Sequence, residues 1–161
     1  MAEEEVSDVR PAKDADASTL ARLLYDFNTE FGTDTDSVDV LANRFGRILS
    51  DDAVLALLAS DRKGATGFAL VTMRPTIWFD GPVATLDELY VVPSRRDCGI
   101  GTALLTEARD LAHGRGCPEM HINVDEVDLD TRRFYERHGF VNVEAGVDYR
   151  MLCYVGPTQP V

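Results

Sequence analysis

At 161 residues with 45% hydrophobic content, the chain carries enough apolar material for one ordinary core and too little length for two. A formal net charge of -12 argues against a nucleic-acid partner, because phosphate backbones are held by an excess of Lys and Arg; it suits a cationic partner, and it also simply keeps a protein soluble. The acidic opening Met1-Ala2-Glu3-Glu4-Glu5 is unlike a secretory signal and no apolar run reaches membrane-spanning length, so a single cytoplasmic domain over residues 1–161 with no membrane partner is expected.

In chain order, residues 6–11 read as a short edge strand stopped by Pro11. Asp14, Asp16 and Ser18 then offer helix caps ahead of Leu20, Leu23, Leu24, Phe27 and Phe31, which recur at helical spacing as far as Gly32. Past the acidic turn Thr33-Asp34-Thr35-Asp36, residues 37–49 repeat the device with Val40, Leu41, Arg44, Phe45 and Ile48. Residues 53–59 and 67–73 are apolar, partly β-branched runs on either side of Asp61-Arg62-Lys63-Gly64, which is a hairpin signal. Asp80-Gly81-Pro82 turns the chain into a strand over 84–92. Leu104, Leu105, Ala108, Leu111 and Ala112 form one face of a helix ended by Gly114 and Gly116. A strand over 121–124, a short helix over 130–138 closed by Gly139, and a final strand pair over 140–143 and 149–155 complete the order. Consecutive strands followed by a strand-helix-strand unit predict an α/β fold with a mixed sheet.

The stretch from Leu89 to Leu105 reads as a strand, a glycine-bearing loop and a helix start, which together predict a phosphate site. Glycine removes the Cβ that would hold a ligand off the backbone, and the helix start adds N–H groups and a positive dipole end. Arg95 and Arg96 add formal positive charge beside it. No Lys-Ser/Thr pair follows the second glycine, and three glycines at dinucleotide-fold spacing are lacking, so neither of those phosphate loops fits.

Arg96-x-x-Gly99-x-Gly101, entered from Leu89-Tyr90-Val91-Val92-Pro93 and followed by Phe134-Tyr135-Glu136-Arg137-His138-Gly139-Phe140, resembles the GNAT acetyltransferase superfamily along nearly the whole chain. Leu86-Asp87-Glu88-Leu89-Tyr90-Val91 is similar to the acidic strand of its diamine (spermidine/spermine-type) members. The resemblance implies a mixed, mostly antiparallel sheet flanked by helices, with a splayed parallel strand pair whose gap admits acetyl-CoA. It further implies transfer of the acetyl group to a primary amine, small and cationic, by direct attack in a ternary complex, and it makes a homodimer a candidate state. Coenzyme contacts carried over from it are the backbone of Leu89, Tyr90 and Val91 for the pantetheine arm, and Arg96, Asp97, Cys98, Gly99, Ile100, Gly101 and Thr102 for the phosphates. Two positions depart from the pattern: Asp97 stands where the family often has glycine, and Asp128, also a coenzyme-side position, stands where it usually has asparagine. These departures motivate an alternative, a non-catalytic acyl-CoA-binding sensor; a protein lysine or N-terminal acetyltransferase shares the donor chemistry.

Amine acetylation needs a base, a carbonyl-polarising donor and an acid. A protonated amine has no lone pair, so a carboxylate must take its proton directly or through water. Asp87 and Glu88 are the candidates, with Asp87 ahead on the resemblance and Glu30 as a fallback on the first helix. Neighbours on a regular strand point to opposite faces, so only one should reach the reacting centre unless a bulge turns the backbone. A main-chain N–H of the Leu89-Tyr90-Val91 strand would polarise the thioester carbonyl. Tyr135 corresponds to the tyrosine that resembling enzymes place near the coenzyme sulfur, and a phenol pKa somewhat above that of a thiol makes it a feasible proton donor. Phe134 and Tyr135 also read as plain core aromatics, and Trp78-Phe79-Asp80 as either an acceptor entrance or apolar cover.

Cys98, Cys117 and Cys153 are odd in number and lack paired metal-ligand spacing, so free thiols are expected. His113, His121 and His138 show no ligand spacing either, and no metal is expected.

Overall fold

Five strands hydrogen-bond in sequence order: β1 (Asp8–Pro11), β2 (Val54–Asp61), β3 (Gly64–Arg74), β4 (Val83–Val91) and β5 (Met120–Ile122). The first four pair antiparallel, and β5 joins β4 in parallel, so the sheet is mixed as expected. The computed structural model describes residues 7–159 and divides between Ile122 and Asn123 into two units. The acidic opening and Val6 lie outside the described residues.

In the first unit, α1 (Ala17–Glu30) and α2 (Val38–Ile48) bury their apolar stripes on one sheet face. Leu20, Leu23, Leu41 and Phe45 close over Ala56, Leu58, Phe68 and Tyr90. Fully burying one such side chain contributes roughly 1.5–3 kcal/mol. Ser37 caps α2 by accepting from the Val40 N–H at 3.4 Å. The expected acidic cap of α1 is used differently. Asp16 makes no side-chain cap bond, and its carboxylate instead accepts two bonds from Arg10, at 2.7 and 2.9 Å, and one from the Lys13 N–H at 2.8 Å. That Arg10 pairing holds the Asp16 carboxyl down at about 2 and ties the edge strand to the start of α1.

The opposite face carries α3 (Ile100–Gly114), with Leu104, Leu105, Ala108 and Ala112 buried. Alternation along β3 makes the two faces explicit: Phe68 belongs to the α1/α2 core, while a Cβ on its neighbour Gly67 would meet Leu104 at 3.2 Å and the Tyr90 carbonyl oxygen at 2.5 Å. Only glycine lets the backbones approach that closely. The β2–β3 hairpin forms as the sequence signals, with Asp61 accepting from the N–H groups of Lys63 at 2.7 Å and Gly64 at 3.2 Å.

In the second unit, α4 (Leu129–Arg137) is the only regular element among the described residues. Tyr135 is buried between Phe134 and Phe140, with ring centroids 5.3 and 5.9 Å away. The strand pair expected over 140–143 and 149–155 is absent, and neither segment is regular. Val141, Tyr149, Met151, Leu152, Tyr154 and Val155 are all exposed. These residues have the composition of a strand, but strand preference is realised only against a hydrogen-bonding neighbour and a face to cover, and the segments have neither among the described residues. No helix among the described residues is long and apolar enough to cross a membrane.

Candidate active site

The chemistry-bearing segment of β4 is irregular at the two carboxylates. Leu70 on β3 pairs with Glu88, but the next residue, Val71, pairs with Leu86, so Asp87 is the extra residue of a β-bulge. Strict alternation would send Asp87 and Glu88 to opposite faces. Because the bulge interrupts it, Glu88 lies across from Leu70 on the α1/α2 face, and Asp87 accepts from the Thr72 hydroxyl at 2.6 Å. Thr72 follows Leu70 by two residues and shares its face. Both carboxylates therefore serve one side of the sheet.

Their environments differ. Asp87 is exposed, whereas Glu88 is half-buried and its side chain has no hydrogen-bond partner among the described residues. Burial, and then the neighbouring Asp87 charge, push the Glu88 carboxyl up to about 7. A base of that strength is half ionised at neutral pH and still basic enough to take a proton from an amine nucleophile.

The parallel pairing of β4 with β5 covers only Ala84 to Leu86 and stops at the bulge. From Asp87 to Val91 the β4 edge has no partner strand among the described residues, which leaves main-chain donors and acceptors for an extended ligand arm. At about 3.3 Å per residue, Glu88 lies about 13 Å upstream of the residue that begins the loop, Val92.

A 3-10 turn (Pro93–Arg95) follows, and the loop then reaches α3 through two left-handed residues, Asp97 at φ 59° and Gly99 at φ 77°. A Cβ at Gly99, the N-cap of α3, would meet nothing within 4 Å, so the backbone there is open to approach. The helix start adds N–H groups for which its own carbonyls provide no acceptor. Ile100 turns its side chain into the core, while Gly101 and Thr102 continue the first turn of the helix. Cys98 is exposed and its thiol donates to the Arg96 carbonyl at 3.3 Å. This loop and the open edge fit a ligand with anionic phosphates and an extended amide arm. Asp97 has a conformational meaning too: it occupies a left-handed position, which explains glycine there in a resembling pattern.

Both arginines that precede the glycine loop are engaged in ion pairs. Arg95 pairs with the nearly covered carboxylate of Asp61, and Arg96 pairs with Glu30 at 2.7 Å. Neither pairing carries a local sequence signal, since 34 and 66 residues separate the partners. Tyr90 sends its ring into the α1/α2 core, stacked on Phe27, so only its backbone faces a ligand arm on the open edge. Leu89 and Val91, its neighbours, are half-buried.

In the second unit, Asp128 is the N-cap of α4, its carboxylate accepting from the Thr131 N–H at 3.1 Å. The departure from asparagine thus retains a capping function, because either side chain supplies the oxygen. Among the described residues no group of three His, Cys, Asp or Glu is placed to hold a metal ion.

A family model described as the acetyltransferase (GNAT) family matches residues 19–140, a span that runs through both units. An aminoglycoside N(6')-acetyltransferase type 1 of Klebsiella aerogenes is 33% identical over 137 residues, 84% of this chain and 90% of that protein. A crystal structure from Arthrobacter sp. FB24, assigned as an acetyltransferase, superposes with a TM-score of 0.87 at 46% identity, covering 94% of this chain and 96% of that one. The aminoglycoside N-acetyltransferase AAC(6')-Iy, solved in complex with CoA, superposes with a TM-score of 0.76 at 20% identity, covering 95% of this chain and 99% of that one; this last likeness is one of fold.

Proposed function

The chain belongs to the GNAT family of acetyltransferases, whose acyl donor is acetyl-CoA, and on that premise we propose that it acetylates a primary amine of a small cationic molecule by direct attack in a ternary complex. The observation that carries this reading is Glu88, a half-buried carboxylate pushed up to about 7 at a bulge on the strand that leads into the phosphate loop. Binding alone gives no reason to keep such a group; removing a proton from an amine does. This argues against the sensor alternative and puts Glu88 ahead of Asp87 as base, reversing the order that the resemblance implies.

Bound acetyl-CoA supplies the activated acetyl group as a thioester. The loop from Asp97 to Thr102 holds its phosphates by main-chain N–H groups at the start of α3, and the open β4 edge from Asp87 to Val91 aligns its amide arm. A β4 N–H near the bulge donates to the thioester carbonyl oxygen where negative charge develops. Glu88 takes the proton of the incoming amine. Asp87, fixed by Thr72, offers a negative charge that raises the Glu88 carboxyl and attracts a cationic acceptor. For the proton that the departing thiolate requires, Tyr135 is the proposed donor, on the family resemblance of its segment.

The overall charge of -12 favours a cationic acceptor, and the Klebsiella aerogenes relative is an aminoglycoside N(6')-acetyltransferase, so aminoglycosides head the acceptor panel. Because the family match runs through both units, the two are read as one functional domain. The test is thiol release from acetyl-CoA with aminoglycosides, polyamines, amino acids and short peptides. Turnover with small polycationic amines is expected. Turnover confined to peptides would move the assignment to a protein acetyltransferase, and coenzyme binding without turnover on any amine would refute catalysis.

A further inference from the structure

Arg96 stands at the entrance of the phosphate loop, yet its fork is already filled. Nη1 and Nη2 meet the two oxygens of Glu30 at 2.7 and 2.8 Å, and Nε donates to the Val91 carbonyl at 3.1 Å. The Tyr90 hydroxyl donates to the same Glu30 carboxylate at 3.2 Å, and its ring lies 5.8 Å from the guanidinium carbon. That ring also stacks on Phe27, with centroids 4.9 Å apart. The last residue of α1 is thus joined to the end of β4 and to Arg96 at the entrance of the phosphate loop.

We infer that Glu30 is a positioning residue for the coenzyme: it clamps Arg96 against the end of β4, so that the loop's N–H groups, rather than the Arg96 side chain, hold the phosphates. The inference rests on the functional reading above. Two-point pairing of a carboxylate with a guanidinium fixes direction as well as distance. The clamp adds to the Arg95–Asp61 pair in fixing the approach to Asp97 and Gly99, whose left-handed conformations cost free energy to hold. Moving Arg96 onto a phosphate would strip Glu30 of its cationic partner and leave its charge beside the incoming anion with the Tyr90 hydroxyl as its remaining donor. Arg96 draws the Glu30 carboxyl below its usual range, and burial, reinforced by the Glu30 charge, pushes the Tyr90 phenol up to about 12. The carboxylate therefore stays ionised and the phenol stays a donor through the neutral range.

The test is equilibrium titration of the full chain with acetyl-CoA, paired with steady-state kinetics, for wild type, Glu30→Gln, Glu30→Ala, Arg96→Ala and the Glu30→Ala/Arg96→Ala double variant. Glu30→Ala should raise both Kd and KM for acetyl-CoA about tenfold, and Glu30→Gln, which keeps the shape and one acceptor oxygen, about threefold. Turnover at saturating coenzyme should stay near wild type, a split that partial unfolding would not give. The double variant should lose no more than the worse single one, because both substitutions open the same contact. Unchanged or tighter coenzyme binding by both Glu30 variants overturns the inference, tighter binding meaning that Glu30 competes with the phosphates for Arg96. Additive losses overturn it as well, because Arg96 would then touch the phosphates independently. Wild-type protein that binds no acetyl-CoA overturns the functional reading together with this one, whereas wild-type binding matched by Glu30→Ala overturns this one alone.

Discussion

Glu88→Gln separates a catalytic carboxylate from an incidental one, because burial makes the residue costly to the fold at the pH where it is useful. In the unfolded chain the carboxyl ionises near its ordinary value of 4.5, and in the folded protein near 7. Below 4.5 both states hold the proton and stability is complete; between these values unfolding releases it, so stability falls as pH rises and levels off above 7. The interval sets a ceiling of about 3.4 kcal/mol, which screening at a half-buried group reduces to about 1–2 kcal/mol. Glutamine carries no such penalty. Any hydrogen-bonding or packing cost of the amide is the same at pH 5 and pH 8, so the difference in ΔTm between those two conditions isolates the ionisation. For a chain of this size the variant should gain about 2–6 °C on wild type in going from pH 5 to pH 8. Its kcat/KM for the best amine should fall about 10²–10⁴-fold at pH 7, with recovery as rising pH frees the amine unaided. Thermal melts and thiol-release assays across pH read both quantities. A variant as active as wild type at pH 7, or one whose deficit is the same at pH 7 and at high pH, would refute the assignment of Glu88 as base.

The neighbouring carboxylate should behave differently. Asp87→Asn removes the charge that helps to raise Glu88, so the acidic limb of the kcat/KM profile should move to lower pH while turnover persists; a collapse like that of Glu88→Gln would make Asp87 the base. Asp97→Gly exchanges a left-handed aspartate for the residue that adopts this conformation at least cost and removes an anion from the phosphate loop. Acetyl-CoA should bind more tightly by titration, and relief of about 0.5–1 kcal/mol of strain should raise Tm by about 1–4 °C. Weaker binding would mean that the Asp97 side chain itself serves the coenzyme. Tyr135→Phe keeps the ring between Phe134 and Phe140 but removes the hydroxyl. Turnover should fall about 10²-fold with acetyl-CoA affinity intact; a loss of Tm with unchanged kcat would reduce Tyr135 to a core residue.

Much of the fold could be read from local pattern. The helical stripe from Leu20 to Phe27, the Ser37 cap, the Asp61–Gly64 turn and the strand-loop-helix around Gly99 each depend on residues close in sequence, and each forms with boundaries a residue or two from those expected. The last strand pair failed for the converse reason. Residues 149–155 have the composition, but a strand needs an edge to pair with, and composition does not say whether one is on hand.

The site divides along the same line. Sequence alone determined which residue types stand near the chemistry: two adjacent carboxylates, a glycine loop feeding a helix, a tyrosine on a short amphipathic helix. Only the tertiary structure decided what those groups are free to do. Sheet register put the bulge at Asp87 and brought both acids to one face, and burial distinguished Glu88 from its neighbour. Chain segments 66 residues apart joined Glu30 to Arg96, so a cation that the sequence places beside the phosphate loop is ion-paired in the fold. Charge and hydrogen-bonding capacity belong to the residue, but desolvation and partners depend on which distant atoms surround it, and that is settled when the chain packs.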